Sequence, residues 1–313
     1  MISIALPVVK TKFLSQSISS ILDQSYSDFE LIIVNNGSPE NVKEIVDQFD
    51  DKRIRYIAHP EMYPIVENWN RCLSYAKRKY FVLFSDDDTC EKDFLKELIT
   101  LAEKYPQTNL FHTRVRIIDD NNNTLALSPS CPEFESAADF VWHRIKNYRL
   151  HYAPDFMCNT ARLREIGGFV NFPNAWGSDD ATWFELANSG GVASSSKILC
   201  NWRDSNYNLT KSSKLEPRLI ALTSFFKWLE DFIDNRMVVF ENEKEIFDQI
   251  KKNLNFRKVV QFGLAFQLSV PRKYSSVISI FFKWLRYKKK YSLSIFSAVW
   301  AQALLIKDLR LRK

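Results

Sequence analysis

Two groups of acidic residues are the part of this sequence best suited to chemistry. The triplet Asp86-Asp87-Asp88 comes shortly after the apolar run Tyr80–Phe84, and a second pair, Asp179-Asp180, lies further along the chain. Adjacent carboxylates repel one another, so a fold that brings three of them to one strand end usually holds a cation there. A solvated turn before the next helix is the competing interpretation, since Asp is common at such positions. The triplet alone leaves both interpretations open.

Other kinds of site have little support in the sequence. The chain contains no G-x-G-x-x-G and no G-x-x-x-x-G-K, so neither a dinucleotide fingerprint nor a P-loop is indicated. Five cysteines without a C-x-x-C pair favour buried thiols in a reducing, cytoplasmic compartment over a disulfide framework. The first predicted strand begins at Ile2, which leaves no room for a signal peptide in this sequence.

The elements before the triplet alternate between strand and helix. Apolar runs predict strands, and apolar residues at helical spacing predict the intervening helices. Strand, helix, strand, helix at this rhythm predicts an α/β fold with a parallel sheet and right-handed crossovers, whose ligands bind at the carboxyl ends of the strands. The predicted strands are 2–7, 29–34, 54–57 and 80–84, and the predicted helices are 11–24, 42–49 and 66–76.

The second half of the chain changes character twice. Strands at 109–117 and 124–127 flank a polar turn and predict a hairpin, Asp179-Asp180 opens a helix, and 192–199 is a further strand. From Glu216 onward the pattern is helical, and no apolar stretch reaches the ~20 residues that span a bilayer. We therefore predict two domains, 1–215 and 216–313.

The ordered set of motifs resembles the family 2 glycosyltransferases, inverting enzymes of the GT-A fold. The resemblance covers about residues 1–211 and departs from the common family pattern by placing Asn35-Asn36 where many relatives have two aspartates. The segments that carry it are Ile4–Val8, Ser17–Gln24, Phe29–Ser38, Asn68–Leu73, Ser85–Asp88, Ile166–Phe169, Asp179-Asp180, and Trp202-Arg203 followed by Asn208.

The resemblance implies the fold, the reaction and its participants. It implies a GT-A fold with a helical C-terminal extension, and transfer of a sugar from a nucleotide diphosphate donor, most often a UDP-sugar, to a hydroxyl of a saccharide or lipid-linked acceptor. It also implies a role in the synthesis of cell-surface polysaccharide. The cofactor would be Mn²⁺ or Mg²⁺, which neutralises charge on the leaving diphosphate.

The same resemblance assigns roles to residues. Asp88 with Asp86 would bind the metal, Asp180 would be the general base, and Asp179 would orient it or the acceptor. Arg203 is a candidate contact for the diphosphate or the acceptor. The residues implied to contact the nucleotide are Pro7, Val8, Asn35, Asn36, Asp86 and Asp87.

Two other functions stay open from the residues alone. A sugar-phosphate nucleotidyltransferase also uses a parallel sheet and acidic metal sites, although Pro7–Thr11 is not the glycine-rich phosphate loop expected of it. A carbohydrate-binding protein that kept the fold and lost catalysis is the non-enzymatic alternative.

The C-terminal region differs from the rest of the chain in charge. Residues 271–313 carry eleven Lys or Arg and one acid, while the whole chain has a net charge of +6. Phe281, Phe282, Trp284, Phe296 and Trp300 alternate with these basic residues. This pattern favours attachment to an anionic membrane surface over nucleic-acid binding, with packing onto the catalytic domain as the plain alternative.

Overall fold

The computed structural model describes residues 1–205, 214–239 and 241–311. Asn208, which contributes to the resemblance above, lies outside the described residues. The chain divides into two compact units: Met1–Asn171 with Ser178–Ser205, and Phe172–Gly177 with the part of the chain after Ser205.

The first unit is built on a mixed sheet of ten strands. Their spatial order is β3-β2-β1-β4-β9-β6-β10-β5, with β7 beside β6 and β8 beside β10. The strands are β1 (Ile2–Val8), β2 (Phe29–Asn36), β3 (Ile54–His59), β4 (Tyr80–Leu83), β5 (Thr89–Cys90), β6 (Leu110–Ile118), β7 (Thr124–Leu127), β8 (Phe134–Glu135), β9 (Phe156–Asn159) and β10 (Val192–Arg203).

Seven helices connect these strands. All four residues of β4 are buried, as are all residues of β1 except Pro7, which is the pattern of strands covered on both faces. The helices are α1 (Leu14–Leu22), α2 (Val42–Val46), α3 (Ile65–Tyr75), α4 (Phe94–Lys104), α5 (Ala137–Ile145), α6 (Thr160–Glu165) and α7 (Ser178–Ala187).

The first half of the sheet has the predicted parallel order. β1 pairs in parallel with both β2 and β4, and β2 pairs in parallel with β3. The carboxyl ends of these strands therefore share one edge, where β1 ends at Val8, β2 at Asn36 and β4 just before the acidic triplet. This edge is where an open α/β sheet binds its ligands.

The second half of the sheet is more irregular than the sequence indicates. The predicted hairpin forms, with β6 antiparallel to β7, and β10 continues past the predicted end to Arg203. β9 lies between β4 and β6 and is antiparallel to both, so the sheet is mixed. The sequence analysis did not find β9, because this strand runs directly into helix α6 at Thr160 with no turn between them.

The second unit is helical. A 3₁₀ turn at Pro173–Ala175 belongs to it, since the Phe172 ring lies 6.0 Å from the Phe225 ring and 6.2 Å from the Trp228 ring, measured between centroids. Among the residues that the structure describes, no helix is long and apolar enough to cross a membrane. The helices of the second unit are α8 (Leu215–Val239), α9 (Lys244–Leu268), α10 (Ser276–Tyr287) and α11 (Ile295–Arg310).

Candidate active site

The acidic triplet forms a turn that is tied to the end of β1. Asp86 Oδ2 accepts hydrogen bonds from the backbone amides of Val9, at 2.8 Å, and Lys10, at 2.9 Å. Two charge-assisted bonds to one carboxylate oxygen fix the chain that leaves β1 against the chain that leaves β4. The triplet is therefore held in place at the edge of the sheet and is not a freely solvated turn.

Asp88 is the most enclosed of the three acids. Its Oδ1 accepts a 2.7 Å hydrogen bond from the Arg203 amide, while its Oδ2 is buried and has no hydrogen-bond partner among the described residues. Burial, together with the neighbouring Asp87 charge, raises the pKa of Asp88 well above its ordinary value. Burial likewise raises the pKa of Asp87 to about 6, with the Asp86 charge as the second cause.

The residues at this turn fit a divalent cation. A buried carboxylate oxygen without a partner is an expensive group that a bound cation would satisfy. No cluster of three or more His, Cys, Asp or Glu side chains with metal-binding geometry occurs in the described part of the chain. Mg²⁺, however, is usually held by one or two carboxylates together with substrate phosphates and water, which needs no such cluster.

Arg203 is buried beneath this turn. Its guanidinium donates from Nε to the Asp87 carbonyl at 2.8 Å and from Nη1 to the Asp119 carbonyl at 2.8 Å, and its Nη2 lies 3.2 Å from Gln16 Oε1. The side chain is completely shielded from solvent. These contacts give Arg203 a positioning role for the acidic turn, and direct contact with a diphosphate or an acceptor stays a prediction.

The residues predicted to contact the nucleotide lie at the carboxyl ends of β1 and β2, but they differ in availability. Pro7 is partly exposed, whereas Val8 is fully buried. Asn36 exchanges two 3.0 Å hydrogen bonds with the backbone of Tyr63, which occupies both ends of its carboxamide. Asn35 is the more accessible amide, although it contacts Tyr56 and the Ser38 amide.

The second acidic pair begins helix α7 and contacts an arginine on α5. Arg144 donates from Nε to Asp180 Oδ1 at 2.7 Å and from Nη2 to Asp180 Oδ2 at 3.0 Å. Burial, with the neighbouring Asp180 charge, raises the pKa of Asp179 to about 7. The pair therefore combines one carboxylate held by a cation with one carboxyl group that titrates near neutral pH.

A row of aromatic rings joins helix α7, which carries this pair, to strand β4, which precedes the acidic turn. Phe169 packs against Phe81 of β4 at 6.2 Å and against Trp183 of α7 at 5.8 Å, between ring centroids. Asn70 fixes Phe169, because its side chain accepts from the Phe169 amide at 2.8 Å and donates to the Phe169 carbonyl at 3.3 Å. A Cβ at Gly168 would collide with the Asn70 carboxamide, and Gly168 has φ of +85°, which explains a glycine there.

Sequence reasoning missed Arg144 and did not assign a role to Asn70. A signal for the helix that carries Arg144 was present: Ser136 caps α5 by accepting from the Asp139 amide at 3.1 Å, the S-x-x-D form of a capping motif. Nothing in the sequence points from Arg144 to Asp180, because they are 36 positions apart and meet only through the packing of α5 and α7.

A mixed α/β sheet with an acidic turn at its carboxyl edge and a second acidic pair nearby defines a GT-A type of transferase. Residues 3–165 match the family described as Glycosyl transferase family 2. This chain belongs to that family and is a glycosyltransferase. Family membership decides against the nucleotidyltransferase alternative.

Two bacterial glycosyltransferases with similar sequences support the same conclusion. The chain is 24% identical over 238 residues to the UDP-Glc:alpha-D-GlcNAc-diphosphoundecaprenol beta-1,3-glucosyltransferase WfgD of Escherichia coli, covering 75% of this chain and 87% of WfgD. It is 31% identical over 101 residues to the glycosyltransferase GlyG of Streptococcus pneumoniae, covering 31% of this chain and only 34% of GlyG.

A solved structure shows the same fold. Residues 1–349 of S. aureus TarS, crystallised in complex with UDP-GlcNAc, superpose with a TM-score of 0.61 at 13% identity. The superposition covers 100% of this chain and 92% of the TarS chain. The predictions of a GT-A fold and of a family 2 glycosyltransferase are thus confirmed.

Proposed function

We propose that this chain transfers a sugar, with inversion, from a UDP-sugar to a hydroxyl of a saccharide or lipid-linked acceptor in the synthesis of a cell-surface polysaccharide. The observation that carries the proposal is the acidic turn tied to β1, in which the buried Asp88 Oδ2 has no hydrogen-bond partner among the described residues. A UDP donor is supported by the name of WfgD and by the UDP-GlcNAc complex of TarS. The name of WfgD also supports a lipid-linked acceptor.

A divalent cation, Mn²⁺ or Mg²⁺, held by Asp88 with Asp86 would neutralise charge on the leaving diphosphate. The protein itself supplies the geometry around it. Arg203 and the amides of Val9 and Lys10 hold the turn in place, and Pro7 and Asn35 lie at the strand ends where the nucleotide would bind. Such preorganisation places donors and charges before the reaction begins.

The Asp179-Asp180 pair supplies the general base of the proposed reaction. The acceptor oxygen bonds to the anomeric carbon as the bond from that carbon to the diphosphate oxygen breaks, and the hydroxyl proton passes to a carboxylate. Asp180 remains our assignment for that carboxylate, with Asp179 completing the pair. Because the two acids are adjacent and interact, the proton belongs to the pair as a titrating unit. Burial raises the pKa of the Asp179 carboxyl to about 7, so this member of the pair titrates in the range suited to acid–base chemistry near neutral pH.

The helical unit supports attachment to an anionic membrane surface. Along α10 the side chains of Ile278, Phe281, Phe282 and Leu285 are exposed at the spacing i, i+3, i+4 and i+7, which forms one apolar stripe. The basic run Lys288-Lys289-Lys290 follows this stripe in sequence. An exposed apolar stripe beside basic residues is typical of helices that lie in the membrane interface.

A donor screen tests the proposed activity. The purified chain is incubated with Mn²⁺ or Mg²⁺, a panel of nucleotide sugars and candidate saccharide or lipid-linked acceptors, and release of free nucleoside diphosphate is measured. Acceptor-dependent release with a UDP-sugar supports the proposal. Release with donors of another nucleotide alone would contradict the donor class, and no release with any pair would favour the non-catalytic carbohydrate-binding alternative.

A further inference from the structure

The helical unit contains a large cavity that the proposed chemistry does not use. Its volume is about 790 Å³, and residues of α8, α9 and α11 and of the segment 290–294 line it. Most of the lining is aromatic or aliphatic, including Phe226, Val259, Phe262 and Trp300. Protein interiors leave few voids larger than a water molecule, so an apolar space of this size has the dimensions of a ligand pocket.

The rim of this cavity carries basic groups. Lys227, Lys258 and Lys290 line it together with a single glutamate, Glu230. Lys258 pairs with Glu230 at 2.6 Å, and Lys290 pairs at 2.6 Å with Glu216, which lies outside the lining. With Glu216 counted, the three lysines exceed the two carboxylates by one, and this small excess of positive charge complements an anionic head group on an otherwise apolar ligand.

The mouth of the cavity is apolar and accessible. Phe256, Phe296 and Val299 line the cavity and are at the same time 59%, 66% and 53% exposed. Large exposed apolar groups around a concave site mark a surface that another apolar molecule covers. A hydrocarbon chain that enters from a membrane would cover the apolar residues of both the wall and the mouth, so a single lipid ligand accounts for both features.

We propose that this cavity binds the hydrocarbon chain of an isoprenoid lipid phosphate, with the phosphate groups at the lysines of the rim. The choice of an isoprenoid rests on the proposed function, in which the acceptor is lipid-linked. A volume of about 790 Å³ lies in the range of small-molecule pockets and has room for a short isoprenoid chain. The helical unit would thus select the lipid part of the acceptor.

The test is direct binding to the full chain in the absence of any nucleotide sugar. Geranylgeranyl diphosphate, kept below its micelle concentration, is titrated calorimetrically at several temperatures. We expect saturable binding with a negative heat-capacity change, the marker of apolar burial. Inorganic diphosphate at the same concentrations measures what the head group contributes alone, and we expect no saturable binding from it.

Two variants fill the cavity and one serves as their control. Val259→Trp on α9 and Ala303→Trp on α11 place a large ring in the space and should weaken binding at least tenfold. Leu264→Trp adds the same ring to an exposed position of α9 that does not line the cavity, so its affinity should match that of the original chain. Because Ala303 is exposed, we expect Ala303→Trp to fold like the wild-type chain.

Several results would overturn the proposal. The first is that the wild-type chain shows no saturable binding of geranylgeranyl diphosphate. The second is that both filled variants bind it as tightly as the wild-type chain, and the third is that inorganic diphosphate gives the same heats as geranylgeranyl diphosphate. A concentration-dependent dimer that both filled variants disrupt would instead assign the cavity to a second copy of the chain. Because the titration needs neither donor nor turnover, its outcome is separate from that of the transferase assay with a short water-soluble acceptor.

Discussion

Arg144 Nε and Nη2 donate to the two carboxylate oxygens of Asp180 at 2.7 and 3.0 Å, which makes a bidentate ion pair between α5 and α7. Arg144 Nη1 also lies 3.2 Å from the carbonyl oxygen of Arg149. One guanidinium thus fixes both the acidic pair and the chain that follows α5. The arrangement makes Arg144 a positioning residue for Asp180 whose charge also lowers the pKa of Asp179.

Replacing Arg144 should therefore change the pH dependence of transfer. The Arg144 charge lowers the pKa of Asp179, so Arg144→Gln should raise the pKa of the pair and move the acidic limb of the rate profile to higher pH, by about one to three pH units. The measurement is kcat/KM from pH 5 to 9. Arg162→Gln, which removes an ion pair to Glu165 on α6, is the matched control and should leave the profile in place. If the acidic limb of the pH–rate profile is the same in Arg144→Gln as in the wild-type chain, the charge of Arg144 does not influence the titration that limits the rate.

The acidic pair should show the signature of a general base. Asp180→Asn should lower kcat by about 10²–10⁴-fold while the affinity for the donor stays near normal. Because the pair must hold no proton before it can accept one from the acceptor, and the pKa of Asp179 is raised to about 7, the rate of the wild-type chain should rise as the pH increases through about 7 and then level off. Asp179→Asn removes the group that titrates near pH 7, so the rise of the rate through pH 7 should be lost in this variant. A larger loss of kcat in Asp179→Asn than in Asp180→Asn would transfer the role of base to Asp179.

Asp88 should be required for activity but not for folding. Asp88→Asn should abolish metal-dependent turnover and weaken nucleotide binding, because the carboxylate that would bind the cation is lost. The amide oxygen of Asn can still accept the 2.7 Å hydrogen bond from the Arg203 amide, so the melting temperature without metal should stay close to that of the original chain. The measurements are turnover with and without added Mn²⁺ and a thermal melt. Full activity of the unchanged chain in excess chelator would contradict a metal at this site.

Membrane attachment should depend on the exposed stripe of α10. Burying one Phe side chain contributes about 1.5–3 kcal/mol, so Phe282→Ser should weaken binding to anionic vesicles by about tenfold or more. Ile220→Ser replaces an exposed apolar residue of α8 and is the control. Co-sedimentation should also decrease as the salt concentration rises, since screening reduces the contribution of the Lys288-Lys289-Lys290 run. If Phe282→Ser and Ile220→Ser bind vesicles equally well, the stripe does not contribute to membrane binding and is instead a packing surface.

Point variants are the appropriate test because deleting the C-terminal region would unfold its unit. Ile280, Ala301 and Leu305 are buried with at most 1% exposure, so their removal would open the core of the helical unit. Trp284 corrects the sequence analysis, which grouped it with the membrane-facing aromatic residues. It is buried, and its indole Nε1 donates to the Ser294 carbonyl at 3.0 Å.

The sequence by itself determined the local features of the fold. Buried parallel strands are continuous apolar runs, so β1, β2 and β4 were found close to their observed bounds, and the acids that follow β4 had to lie at the carboxyl edge of the sheet. The family resemblance also rests on local motifs in a fixed order. The strands β5 and β8 were missed because two residues carry too little periodicity to be distinguished from a loop, and β9 was missed because it runs directly into α6.

Only the tertiary structure decided which side chains share a site and which stay available. Asp180 meets Arg144, and Asn70 holds Phe169, across 36 and 99 positions of sequence, and the side chain of Asn36 is occupied by a loop at Tyr63. Likewise, Phe282 and Trp284 are two positions apart on one helix, yet the first is exposed and the second is buried. These outcomes depend on how separate elements pack, because contacts between distant residues are set by distance in space. On α10, apolar residues occur on both sides of the helix, so their spacing does not show which side is buried.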